Sequence, residues 1–258
     1  MKILVCIKQV PDMESRFKPA ADGLWFNEAD LAWRINEYDE YAVEQAVKLK
    51  EQLGNEPEIT VLSIGPDRVV EVLKKALAMG ADRAVHVQDS APQQKGPWQI
   101  ASIIANYARD KGFDLILTGM QSQDRGSAQV GVLVAEFLGF ACATTLVGFS
   151  YVDGVIHAKR ELEGGLKGLV DLRLPALVTC QLGLNIPRYP TLPNIMRAKK
   201  KEIETLSVTS LLTEEPLAIT TQFYAPARKE GGLVLEGDLN EMAQQLVDIL
   251  QEKTSVVR

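Results

Sequence analysis

The sequence predicts an α/β fold: a doubly wound, mostly parallel sheet covered by helices, with antiparallel additions and an extended C-terminal arm. Three observations carry this reading. Short apolar runs of strand length alternate with longer segments whose apolar residues recur three and four apart, the pattern of strands buried on both faces between helices. After Phe140 the pattern shifts to two-residue alternation about an Asp153-Gly154 pair, a hairpin signal because both turn positions need positive φ. Past Gln181 the chain becomes rich in proline and charge, with no further sheet signal.

The elements follow in order. Residues 3–7 form the first buried strand. Met1-Lys2 runs straight into it, with no room for a signal-peptide apolar region or cleavage site, so the chain is expected to be soluble from its first residue. Residues 41–53 carry Val43, Ala46, Val47 and Leu49 on one helical face. Strand 59–64 leads to a helix over 67–79, with Val69, Val70, Leu73, Ala76 and Leu77 inward and Gly80 as C-cap. Strand 84–87, helix 97–111, strand 115–118 and helix 127–138, closed by Gly139, repeat the unit. Segments 145–152 and 155–161 make the hairpin, 166–174 adds an alternating strand, and 176–181 returns to a buried one. After Gln181, roughly seventy residues lack the apolar periodicity for a core of their own, apart from a helix over 239–252, and are assigned to the surface of another subunit.

At 258 residues, 46% hydrophobic and 24% charged, the chain can bury a large core. A net charge of −6 argues against nonspecific nucleic-acid binding, which needs a basic surface. Basic residues cluster only in Arg197-Ala198-Lys199-Lys200-Lys201. Cys6, Cys142 and Cys180 are far apart and, with His86 and His157, supply no sequence-local zinc site. Buried, reduced thiols in a cytoplasmic compartment fit that count. No stretch approaches the ~20 apolar residues of a membrane span. There is no GxSxG elbow and no HExxH motif, and both histidines fall in predicted strands, where a structural role is expected. The reading is a carrier or binding protein without catalytic residues of its own.

The most informative segment is Gly119-Met120-Gln121-Ser122-Gln123-Asp124-Arg125-Gly126-Ser127-Ala128-Gln129-Val130-Gly131. It leaves a core strand and enters an amphipathic helix, at the sheet edge where α/β proteins bind ligands. Small residues at Gly126, Ser127 and Ala128 let a ligand approach the backbone. First-turn N–H groups, with hydroxyls at Ser122 and Ser127, suit a phosphate. The alternative is an ordinary connecting loop with Ser127 as N-cap. The segment is neither a Walker A loop nor a GxGxxG fingerprint. The first strand is followed by Lys8-Gln9-Val10-Pro11-Asp12, not an SGGxDS-like pyrophosphatase loop, so nothing here is equipped to cleave a nucleoside triphosphate.

Several segments in order carry a resemblance: Val5-Cys6-Ile7-Lys8-Gln9-Val10-Pro11-Asp12, Asn36-Glu37-Tyr38-Asp39-Glu40-Tyr41-Ala42-Val43-Glu44, Ala76-Leu77-Ala78-Met79-Gly80-Ala81-Asp82, the loop above, and Lys159-Arg160-Glu161-Leu162-Glu163-Gly164-Gly165. The most specific is Asn185-Ile186-Pro187-Arg188-Tyr189-Pro190-Thr191-Leu192-Pro193-Asn194-Ile195-Met196-Arg197-Ala198-Lys199-Lys200-Lys201. From residue 2 to about 205 the chain resembles the β (small) subunits of electron-transfer flavoproteins.

The resemblance implies a flavodoxin-like or nucleotide-hydrolase-like sheet and a heterodimer with an α subunit that carries the redox FAD. This chain would share a wall near that flavin and hold a nucleotide of its own, AMP, or a second FAD in electron-bifurcating relatives; the TLPNIM form points to AMP. The implied nucleotide contacts are Cys6, Asn36, Glu37, Tyr38, Asp39, Ile64 and Gly119 through Val130. Residues 10–13 would face the α-subunit flavin, with Met13 where some relatives have an aromatic. Pro187 through Met196 would be a partner-recognition loop whose Leu192 anchors acyl-CoA dehydrogenases, with a membrane quinone oxidoreductase as electron acceptor. Its prolines lower the ordering cost of docking, while the alternative has Leu192 packing on its own domain. The basic run that follows is read as a solvated helix end or as a steering patch for an acidic partner. The expected division is 1–184 for the nucleotide domain, 185–205 for the recognition loop and basic helix, and 206–258 for an arm clasping the α subunit. A rival from another class is a stand-alone adenine-nucleotide sensor or hydrolase, which gives no reason for the proline-rich loop or the long tail.

Overall fold

The computed structural model describes residues 1–227 and 231–254. The apolar runs become β1 (Lys2–Cys6), the short pair β2 (Gln9–Pro11) and β3 (Trp33–Ile35), then α1 (Glu37–Gln52) and β4 (Glu58–Gly65). There follow α2 (Val70–Met79), β5 (Arg83–Gln88), α3 (Pro97–Ala108), β6 (Leu115–Gly119) and α4 (Val130–Leu138). The hairpin is β7 (Ala141–Val152) and β8 (Val155–Glu161), continued by β9 (Lys167–Arg173) and β10 (Ala176–Cys180). After them come α5 (Leu192–Lys200), β11 (Ile203–Ser207) and α6 (Leu239–Lys253).

Among the described residues the main sheet has nine strands in the order β11-β5-β4-β1-β6-β10-β7-β8-β9. β1 lies parallel between β4 and β6, with Val5 opposite both Val61 and Leu117. Alternation along β1 divides the core into two layers. Ile3 and Val5 pack with Ala42, Val43 and Leu73 of α1 and α2; Leu4 and Cys6 pack with Ile103, Ile104 and Val134 of α3 and α4. Each such side chain taken out of water contributes roughly 1.5–3 kcal/mol. At the other end β7, β8 and β9 run antiparallel, joined at Asp153 (φ 47°) and Gly154 (φ 84°), as their sequence requires. Among the described residues no helix is long and apolar enough to cross a membrane.

The structure departs from the sequence reading in several places. α1 begins at Glu37, four residues earlier than its apolar period, because Glu37, Asp39 and Glu40 favour the positive end of the helix dipole. The first turn of the 67–79 segment is a 3₁₀ turn, Asp67–Val69. α4 starts at Val130 with Gln129 as N-cap. Ser127 is therefore not a cap, because Gly126 (φ 60°) and Ala128 (φ 52°) keep the backbone out of helical geometry. Past Gln181 the expected basic helix is α5, which starts at Leu192, inside the segment expected as a loop, and there is a strand that the sequence reading lacks. β11 pairs parallel with β5 at the sheet edge, and its five residues include only two large apolar ones, Ile203 and Leu206. The expected boundary at 205/206 falls inside β11, and Leu206, Val208, Leu211 and Leu212 pack on the core beside α3 and α4. Cys6 and Cys180 are buried as expected, whereas Cys142 is exposed.

The chain divides into two units, Met1–Phe223 and Tyr224–Arg258. In the second, α6 opens on a capping box. Asp238 accepts from the Asn240 and Glu241 N–H groups at 2.8 and 3.0 Å, and Glu241 accepts from the Asp238 N–H at 3.1 Å. The residues of the expected arm at 228–230 and 255–258 lie outside those described.

Candidate functional site

The strand order reverses at β1: β4 and β5 lie to one side, β6 and β10 to the other. At such a switch point the connections leaving the carboxyl ends of neighbouring strands diverge and open a crevice. Here a cavity of about 180 Å³ lies between Cys6–Gln9 after β1, the start of α1, and the connection from β6 to α4. A single water needs only about 10–15 Å³ on the same measure, so there is room for a small organic ligand.

The walls are held by side chains at the start of α1. Asn36 donates to the Gln121 carbonyl at 2.9 Å and accepts from the Gln123 N–H at 3.0 Å. Asp39 accepts from the Lys8 N–H at 2.7 Å and the Gly119 N–H at 3.0 Å, joining the ends of β1 and β6. Burial pushes the Asp39 carboxyl up to about 7, while its N–H donors pull it down. Gly119 is what permits this approach, since a Cβ there would stand 2.3 Å from Asp39 Oδ1 and 2.7 Å from Tyr38 Cβ. Gly131 does the same for α4: its Cβ would meet Thr118 Oγ1 at 2.7 Å and Thr179 Cγ2 at 2.8 Å.

Of the residues singled out for a nucleotide, Cys6, Asn36, Asp39, Ile64, Gly119, Met120, Gln121, Ser122, Asp124, Arg125, Ser127, Ala128, Gln129 and Val130 line the cavity. The other four, Glu37, Tyr38, Gln123 and Gly126, do not line it. Three of these brace the wall from behind. Gln123 donates to Glu37 at 2.9 Å, and Gln121 to the Tyr38 hydroxyl at 3.3 Å. Gly126 turns the backbone instead of admitting a ligand; its nearest neighbour for a Cβ is Gln121 Oε1, 3.9 Å away.

Sequence reasoning missed part of the cavity lining. Lys8 Nζ bridges to both Asp124 oxygens at 2.7 Å and to Ser122 Oγ at 3.3 Å; burial lowers the Lys8 pKa and Asp124 opposes that. The Arg125 guanidinium lies 4.9 Å from the centre of the Trp25 ring, and that of Arg68 lies 3.8 Å from Trp33. Arg125 also donates to the Lys95 carbonyl at 3.2 Å and to the Gln93 carbonyl. These contacts join distant loops, and the 12–32 segment that supplies Trp25 has no period to mark it, while Trp33 opens the three-residue strand β3. Ser122, Asp124 and Arg125 were legible within the β6–α4 loop and Lys8 within the first motif; Trp25, Trp33 and Arg68 were not.

The donor set is two-sided. Leu62, Ile64, Ile100 and Ile104 form an apolar wall. At the same cavity α4 begins with no side-chain cap, leaving first-turn N–H groups and a partial positive charge for an anion. Ser122, Ser127 and Lys8 add polar contacts. This suits a ligand with a flat apolar part and an anionic end.

The proline-rich segment lies elsewhere. Pro187, Arg188, Tyr189 and Pro190 precede α5, whose N-cap Thr191 accepts from the Asn194 N–H; Leu192, Pro193, Asn194, Ile195 and Met196 form its first turns. Tyr189 is 95% and Leu192 72% exposed, with Ile186 and Met196 also outside the core. His86 is buried with Nε2 2.8 Å from the Gly65 carbonyl, and His157 of β8 pairs with Asp171 of β9, so both have structural partners.

A family model of the electron transfer flavoprotein domain matches residues 23–211. The electron transfer flavoprotein subunit beta of Bacillus subtilis is 37% identical over 263 residues, 100% of each chain. The subunit of the same name from Methylophilus methylotrophus is 35% identical over 261 residues, 98% of each chain. That of Homo sapiens is 37% identical over 243 residues, 92% of this chain and 93% of its own. An α/β sheet with a ligand-sized crevice at its switch point agrees with these matches, and the chain belongs to the electron transfer flavoprotein β subunits, components of an electron carrier that works with an α subunit.

Proposed function

We propose that this chain holds AMP in the β1–β6 crevice and, paired with an FAD-bearing α subunit, docks acyl-CoA dehydrogenases whose electrons go on to a membrane quinone oxidoreductase. The observation that carries the reading is the crevice itself, lined by both apolar side chains and an uncapped helix start. The base would lie against Ile64, Leu62 and Ile100. The phosphate would accept from the N–H groups at the start of α4 and from Ser127. Asn36 and Asp39 orient the two loops, because their polar atoms are already engaged by backbone groups. AMP supplies no redox chemistry in this scheme; it fixes the crevice. The α-subunit FAD supplies the redox chemistry, with residues 10–13 facing it.

The exposed apolar set Ile186, Tyr189, Leu192 and Met196 gives the dehydrogenase an anchor, and Lys199 and Lys200 beside it steer an acidic partner. The α subunit takes the arm. Its start belongs after Phe223, since residues 206–212 are part of the first unit's core. The α6 face of Leu239, Met242, Leu246, Ile249 and Leu250 is the contact.

Co-expression with the α subunit tests this reading. The complex should purify yellow, one chain of each, and truncation after Phe223 should abolish stable pairing while this chain stays folded. A colourless homo-oligomer would favour the sensor or hydrolase. Unchanged pairing after truncation would remove the arm from the account.

A further inference from the structure

Between the buried domain and α5 stands one ion cluster that the crevice does not use. Arg188 sits within the proline-rich segment, where its neighbours Tyr189 and Leu192 face solvent, yet its own side chain turns inward onto α1. Arg188 Nε donates to Glu44 Oε2 at 2.8 Å, and one terminal nitrogen donates to Glu44 Oε1 at 3.0 Å. That same nitrogen also donates to Glu51 Oε2 at 3.0 Å, and the other donates to Glu51 Oε1 at 2.6 Å. The Arg188 N–H also donates to Glu44 at 3.1 Å. The Glu44 side chain is only 5% exposed, whereas Glu51 lies at the surface, so this is a two-carboxylate fork with one buried arm, of a kind lysine cannot reproduce. Arg188 holds the Glu51 carboxyl below its usual range. Asn185 adds a bond to the Tyr41 carbonyl at 3.0 Å.

The far end of α5 is held separately. Ala198 is buried in the core layer that contains α2, and Lys201 Nζ donates to the Ala81 carbonyl at 2.7 Å. Thus α5 is fixed behind by α2 and ahead by Arg188, with Tyr189, Pro190 and Thr191 spanning from Arg188 to Leu192.

We infer that Arg188, gripped by Glu44 and Glu51, is a positioning residue that presents Leu192 to the partner and does not itself touch it. The inference rests on the reading of Leu192 as the docking anchor, and it gives Arg188 an inward role in place of a direct partner contact. Preset geometry lowers the ordering cost of association, so the clamp acts on encounter affinity and not on the electron-transfer step.

The test uses the complete heterodimer with an acyl-CoA dehydrogenase reduced by its own acyl-CoA. Arg188→Met alone would strand the buried Glu44 charge, so the informative variant is Arg188→Met with Glu44→Gln. It is expected to fold and keep its nucleotide. KM for the dehydrogenase should rise about tenfold with kcat nearly unchanged, and amide exchange over 192–200 should quicken by a similar factor. Arg188→Lys should restore only part of each, since a single ammonium cannot replace the fork. Adding Leu192→Ala to the double variant should raise KM no further than Leu192→Ala alone. Unchanged KM and exchange in the double variant, or full additivity with Leu192→Ala, overturns the inference while the docking reading stands. If Leu192→Ala itself leaves KM unchanged, the docking reading falls and the inference with it.

Discussion

Replacing Leu192 with alanine is expected to slow electron transfer from the dehydrogenase by roughly ten- to a hundredfold, which corresponds to about 1.4–2.8 kcal/mol. Melting temperature, flavin content and the flavin spectrum should stay where they are. Leu192 is the first residue of α5 and is 72% exposed, so truncating it opens no cavity, and surface substitutions usually move stability by no more than about 0.5 kcal/mol. What it loses is an apolar side chain that would fill a partner's pocket, worth roughly 1.5–3 kcal/mol. Thermal melts and stopped-flow reduction on one preparation separate the two effects. A melting point several degrees lower with normal transfer rates would mean that Leu192 supports its own domain.

The second large effect is expected at Gly119. Gly119→Val should strip the nucleotide from the purified protein and lower its stability. The added Cβ would fall 2.3 Å from Asp39 Oδ1 and 2.7 Å from Tyr38 Cβ, so the start of α1 has to move. Overpacking of this kind costs typically about 1–3 kcal/mol, and disturbing the Asp39–Gly119 hydrogen bond adds about 1–3 kcal/mol more. Gly139→Ala is the control. Gly139 has a positive φ of 67° and nothing within 4 Å of its Cβ position, so its replacement should cost some stability but no nucleotide. Full nucleotide occupancy in Gly119→Val would exclude the crevice as the site. Gly126→Val is a weaker probe, because it strains the backbone at φ 60° without reaching the cavity wall.

Much of this was legible in the sequence because it rests on periodicity. The core strands, α2 and α3, and the Asp153-Gly154 hairpin all follow from local apolar spacing and turn chemistry. The β6–α4 loop was visible as a candidate ligand loop for the same reason, and Asn36 and Asp39 as candidates once the resemblance drew attention to them; all three line the cavity. The elements that escaped lack such a signal. The first turn of α1 is polar, so only its charges marked it. The start of α5 escaped, though its basic end was expected to be helical, because it buries just Ala198, too little for a visible stripe, and β11 is a short edge strand. The clamp of Arg188 on Glu44 joins residues 144 positions apart, and the Trp25–Arg125 and Trp33–Arg68 stacks line the cavity from a loop and a three-residue strand. Contacts of that kind are set by the folded geometry and leave no spacing to read.

The most direct measurement is to denature the purified heterodimer and identify the nucleotides it releases. The account predicts one FAD and one AMP per pair of chains, with the AMP lost and the FAD kept when this chain carries Gly119→Val. Two FAD and no AMP, or no nucleotide beyond the single FAD, would contradict it.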